Sequence, residues 1–141
     1  MPDTALPLDP AILPRSAGSA ILRGVQGKCP RCGGTHLFTV GLKPVERCRM
    51  CGQNWTLHAA DDFPPYIAIL LTGHLMAPVI IGLGKIESLP EWAMMLIALV
   101  LAGALIAAIL RPAKGGVIAL QWWLGMQGFA GHAGKVEAGV A

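Results

Sequence analysis

The chain has 141 residues, 54% hydrophobic and only 13% charged; a water-soluble domain carries about 25% charged residues, so an ordinary soluble globule is excluded. The length permits one modest core, yet the apolar residues gather after Asp62, which points to a small polar head on a membrane anchor. A net charge of +3 is too small to mark a nucleic-acid binder by itself.

Residues 1–27 read as a flexible tail, tightening at most near Ala20-Ile21-Leu22. Asp3, Asp9, Arg15 and several prolines interrupt residues 1–22. No apolar run of the ~7–15 residues that a signal peptide needs is present.

Residues 28–60 hold the sharpest signal. Cys29, Cys32, Cys48 and Cys51 are spaced C-x2-C-x15-C-x2-C, a pattern that suits a four-cysteine zinc site. Gly33 and Gly52 follow the second cysteine of each pair, where a tight knuckle favours the positive φ that glycine permits. "THLFTV" and "NWTLH" are short β-prone runs, so the segment is expected to form a β-type zinc ribbon with Phe38 and Trp55 covering one face. So short a segment cannot bury a self-sufficient core, since below about 40 residues a metal or disulfide is usually required. Four thiolates complete a tetrahedral shell, which predicts one structural Zn2+ per chain. Iron held as in rubredoxin, and a dithiol redox role for one pair, are the alternatives.

Two apolar runs follow. Residues 63–84 contain no Asp, Glu, Lys or Arg, and neither do residues 92–110. At about 1.5 Å per residue, each can cross a hydrocarbon core of roughly 30 Å. With the short link "KIESLP" between them, residues 61–111 are expected to be a transmembrane helical hairpin. Lys43, Arg47 and Arg49 precede the first span, Arg111 and Lys114 follow the second, and the link offers only Lys85. The positive-inside bias then places both termini in the cytoplasm, where thiols stay reduced and bind metal. Lys28, Arg31, Lys43, Arg47 and Arg49 around the cysteines fit the same bias, with attraction to anionic membrane lipid. Gly73 with Ala77, and Gly103 with Ala107, have the small-xxx-small spacing that lets helices approach closely. Residues 112–130, broken by Gly125 and Gly128 and carrying Trp122 and Trp123, are expected to form a short interfacial helix, followed by a tail over 131–141.

The stretches "RGVQGKCPRCGGTHLF", "CRMCG", "HAADDFPPY", "TGHLMAP" and "RPAKG", over roughly residues 20–125, resemble a bacterial family known as domain of unknown function 983. The resemblance implies a small inner-membrane protein. It also implies a role in cytochrome c oxidase biogenesis, with an oxidase subunit or assembly factor as the membrane-protein partner.

His58, Asp61, Asp62 and His74 form a candidate second site. Intramembrane ionisable groups such as His74 are costly and usually face a partner or cavity. The plainer expectation is that His74 bonds a backbone carbonyl or the second helix, and that Asp62 caps a helix with Pro64 and Pro65 in its first turn. His36 is expected to be a strand residue. Met76, Met94 and Met95 could suit Cu(I) but lack an M-x-x-M pattern and read as packing or lipid-facing residues. No nucleophile–base pair, phosphate loop or open metal shell is evident, so an enzyme is not expected. The leading reading is a non-enzymatic, membrane-anchored accessory protein. Metal or haem handling through the second site is the alternative, and a membrane-tethered nucleic-acid-binding ribbon the third reading.

Overall fold

The computed structural model describes residues 8, 9, 11–58 and 63–129. Three α-helices, α1 (Ala17–Val25), α2 (Phe63–Leu83) and α3 (Glu91–Trp123), are followed by a 3-10 turn at Met126–Gly128.

The expected tail over residues 1–27 contains helix α1 instead. Ser16 starts it through a reciprocal capping box: its hydroxyl accepts from the Ser19 amide at 3.2 Å, and the Ser19 hydroxyl accepts from the Ser16 amide at 3.2 Å. Such caps satisfy amides that a helix end leaves orphaned. Nine residues are too few for a stable isolated helix. What holds α1 is its inward face, where Ala20 and Gly24 are buried against α3.

Residues 28–58 form the head. The predicted β-type ribbon is corrected here, because the described residues contain no strand. Three isolated bridges, Lys28–His36, Phe38–Pro44 and Arg47–Asn54, stand where ladders were expected. The reason is local: the head is a succession of tight turns joined by isolated backbone bonds, and two of these bonds close the knuckles. The Gly33 amide donates to the Cys29 carbonyl at 2.8 Å and the Gly52 amide to the Cys48 carbonyl at 2.9 Å. Both glycines have φ of +68°. Single bonds from Leu37 to Gly27, Val45 to Leu37 and Trp55 to Glu46 then tie the turns side by side.

α2 opens with Pro64 and Pro65 in its first turn, where a fixed φ and a missing N–H cost nothing. It packs on α3 through Pro64, Ala68, Thr72 and Met76, a stripe with a period of four residues. Gly73 and Gly103 are not the close-contact points the small-residue spacing predicted: a methyl group on either would meet nothing within 4 Å. The hairpin seam uses alanine and threonine on a different face of α2.

α3 carries the second correction. The expected break at Arg111-Pro112, with a separate interfacial helix beyond it, does not occur. One helix of 33 residues, about 50 Å long, runs through Pro112 to Trp123. A proline inside an isolated helix costs roughly 3 kcal/mol. Here the turns beyond it bury Gly115, Val117, Ile118, Ala119 and Trp122, and burying large side chains such as Val and Ile contributes about 1.5–3 kcal/mol each. The packing outweighs the local penalty.

α2 and α3 are both long and apolar enough to cross a membrane, with mean hydropathies of 2.0 and 2.8 over their most apolar windows. Their apolar side chains point outward. Ile69, Leu70, Ile81, Trp92, Met95 and Leu99 are all more than half exposed. The buried core lies instead at the other end, where Leu37, Phe38 and Trp55 of the head meet Val117, Ile118 and Trp122 of α3.

Candidate metal centre

Each knuckle presents two sulfurs to the same point. The four Sγ atoms of Cys29, Cys32, Cys48 and Cys51 lie within 4.8 Å of one another, and all four residues are buried. Cys29 and Cys51 are 3.8 Å apart, Cys32 and Cys48 3.6 Å. A tetrahedron with metal–sulfur bonds of ~2.3 Å has edges of about 3.8 Å, so the donor set is positioned to bind one metal ion.

The backbone prepares the sulfurs for negative charge in a pseudo-symmetric way. The first cysteine of each pair receives an amide three residues on (Cys32 for Cys29, Cys51 for Cys48), and the second an amide two on (Gly34 for Cys32, Gln53 for Cys51). The Thr35 hydroxyl adds a 3.0 Å contact to Cys48 Sγ. Hydrogen bonding from Cys29, then from Thr35 and the amides, holds Cys48 down to about 3. Cys51 is lowered to about 7, chiefly by Cys29. Cys29, which donates to both, is pushed far above the usual thiol range, and burial raises Cys32. Without metal the cluster thus holds thiolates and thiols sharing protons. An entering dication displaces those protons, so affinity falls as pH falls.

Arg31 is corrected from a surface cation to a buried one. It is 3% exposed, and its Nη1 donates to the Cys51 carbonyl at 3.0 Å, tying the first knuckle to the second. Its positive charge, buried beside the sulfur cluster, suits a shell that remains net negative around a divalent ion. Arg23 of α1 supports it from outside, donating to the carbonyls of Arg31 at 3.1 Å and Ile12 at 3.0 Å. Neither role is marked by a motif. The only signal was an arginine inside a knuckle, where small residues would suffice.

The head is fixed to α3 by aromatic contacts. Trp55, fully buried, meets Trp122 at 6.2 Å and Phe129 at 5.8 Å between ring centroids. Phe38 receives the Arg111 guanidinium 5.6 Å from its ring. The metal site and both long helices therefore belong to one connected body through α3.

Of the candidate second site, His58 and His74 lie among the described residues, and each is bonded to a nearby backbone carbonyl. His58 is held by the Trp55 carbonyl at 2.5 Å from its Nδ1. His74 lies eleven residues along α2 from Phe63, on the outward face, with its Nδ1 donating to the Leu70 carbonyl at 2.8 Å. Eleven residues of helix are about 16 Å. Asp61 and Asp62, with the capping role expected of Asp62, fall outside the described residues. His36 is exposed on a bridge, not a strand. Met76 is buried in the hairpin seam and Met95 faces outward. Among the described residues, the cysteines are the one group of three or more potential ligands brought together.

Fold and site together define a protein with four cysteines positioned to bind one metal ion and two helices long and apolar enough to cross a membrane. The family of proteins of unknown function DUF983 matches residues 38–122, and the chain belongs to that family. That stretch takes in the second cysteine pair, α2 and almost all of α3, while α1 and the first knuckle precede it. No curated protein and no solved structure matches the chain.

Proposed function

We propose that the protein is a non-enzymatic accessory protein of the bacterial inner membrane, whose cytoplasmic head folds around one structural zinc ion and presents a rigid surface to a membrane-protein partner. One observation carries this reading: a closed four-sulfur shell is docked on the extension of the same helix that supplies the anchor. Four protein ligands leave no open position for substrate, which is the structural rather than catalytic arrangement. The partner proposed is an oxidase subunit or assembly factor, and that part rests on the family resemblance alone. Outward-facing Leu, Ile and Val along α2 and α3 support insertion in lipid, because water leaves so broad an apolar surface unpaired. Lysine and arginine at the head end against Lys85 alone in the link support cytoplasmic termini. A cysteine introduced at Ser88 is then labelled by an impermeant thiol reagent in intact cells while the native four are not. Labelling of the head from outside sinks the orientation.

A second reading, metal or haem handling, is favoured by one contact. His74 is exposed and donates from Nδ1 to the Leu70 carbonyl, which leaves Nε2 without a backbone partner in that contact; metal-binding histidines commonly donate their other ring N–H in this way. If His74 serves only local structure, His74→Asn and His74→Gln preserve protein level and oxidase maturation, since intramembrane hydrogen bonds contribute about 0.6–2 kcal/mol. A stable, zinc-loaded His74→Asn protein that fails to support maturation replaces the accessory reading with the handling one.

A further inference from the structure

The head carries a second feature that the metal does not explain. An open groove of about 590 Å3 is bordered by Lys43, Arg47 and Arg49, with Asn54 and Thr56 adding polar groups and Glu46 the one opposing charge. All three cations are exposed, and among the described residues none is engaged in an ion pair. One wall of the groove is Thr39, which closes a tight turn onto Lys43: its amide and hydroxyl reach the Lys43 carbonyl at 2.9 and 3.1 Å. The tip of that turn is apolar and turned outward. Val40 is 83% exposed and Leu42 39%. In water this tip gains nothing from its two aliphatic side chains.

The position of the turn in the fold accounts for both halves of the feature. Thr39 follows Phe38, whose ring lies under Arg111, and Arg111 is the first charged residue after the apolar run that begins at Trp92. The headgroup layer adds roughly 5–8 Å beyond each edge of the hydrocarbon core, so the turn begins at headgroup depth. We infer that the groove is a binding site for the phosphate headgroup of an anionic phospholipid, with Val40 and Leu42 seated in the acyl boundary beside it. Apolar tips flanked by basic residues bind membrane surfaces through both contributions together. A soluble anion accounts for the cations but leaves the apolar tip unexplained, so lipid is the occupant. The inference rests on the membrane reading given above.

The test uses the full-length, zinc-loaded protein in nanodiscs of phosphatidylcholine doped with phosphatidylglycerol, with retained lipid counted by native mass spectrometry. Wild type is expected to retain phosphatidylglycerol selectively. A Lys43→Gln, Arg47→Gln, Arg49→Gln variant loses that preference by about tenfold or more, with zinc content unchanged. Val40→Ser with Leu42→Ser lowers retention although all three cations remain. Equal retention by wild type and the charge variant overturns the site, as does displacement of the lipid by inorganic phosphate, which assigns the groove to soluble anions. Protein that never enters the discs overturns the membrane reading itself; protein that enters them without lipid preference overturns the headgroup site alone.

Discussion

On the proposed reading, Cys48→Ser protein is expected to contain no zinc and to lose the fold of residues 28–58, while α2 and α3 stay inserted. Structural zinc contributes roughly 10–16 kcal/mol of apparent folding free energy in small modules. Against that, the head has little of its own: Leu37, Phe38 and Trp55 are its large buried apolar side chains. Phe38 and Trp55 are further stabilised by contact with α3, but those contacts need the knuckles to hold both rings in place. Serine keeps the size of cysteine and cannot supply a thiolate, so the effect isolates ligation from packing. Elemental analysis gives the metal content, and limited proteolysis in membranes gives the fold, with new cleavage confined to the head. Full zinc occupancy in this variant removes the four-cysteine assignment. A metal-free variant with a protease-resistant head instead shows that docking on α3 is sufficient to fold it.

The parts of this molecule that were readable in the sequence are those encoded within a few residues. Two C-x-x-C pairs close their own turns whatever surrounds them, and long uncharged apolar runs need no partner to declare themselves. What escaped was decided between distant segments. α1 is too short to be helical by propensity alone, and its burying surface lies on α3, in the last third of the chain. Pro112 reads locally as a stop, and only the packing of Val117, Ile118 and Trp122 against the head carries the helix past it. The β-prone runs beside the knuckles pair through single bonds to separate turns, Leu37 to Gly27, Thr39 to Lys43 and Trp55 to Glu46, so no two segments stay side by side long enough for a ladder. Arg31 looked like one more surface cation because nothing in its neighbours distinguishes burial beneath the sulfurs from exposure above them. Small-xxx-small spacing misled for a related reason. It marks where a helix can be approached, and Gly73 and Gly103 in this hairpin are approached by nothing among the described residues.

The glycines that do decide the architecture are Gly24 of α1 and Gly115 of α3, and Gly115→Ala is expected to separate the two helices. A methyl group on Gly115 would run into the Gly24 carbonyl oxygen and lie 2.7 Å from its carbon; one on Gly24 would meet the Gly115 carbonyl and lie 2.8 Å from the Ala119 methyl. The obstruction is backbone against backbone, so no rotamer change relieves it, and the helices must move apart. Overpacking a well-fitted contact costs about 1–3 kcal/mol, occasionally more, and the high end applies when no side chain can yield. Helix propensity favours alanine by about 1 kcal/mol, too little to offset the clash. The loss does not stop at α1: once the helix withdraws, Arg23 no longer reaches the Arg31 carbonyl, and the first knuckle loses its outer support. Protease access to residues 15–28 should therefore rise, and zinc should be surrendered to a chelator faster than in wild type. Two neighbouring substitutions give the contrast. Gly116→Ala brings its methyl to 3.2 Å from Val25 Cγ2, a single side-chain contact that a shift of a few tenths of an ångström relieves, so its effect is smaller than that of Gly115→Ala. Gly103→Ala meets nothing within 4 Å and should be neutral or slightly stabilising through the same helix preference. If Gly115→Ala behaves like Gly103→Ala in both measurements, α1 is not seated on α3 as described, and the route from the anchoring helix through Arg23 to the metal centre fails with it.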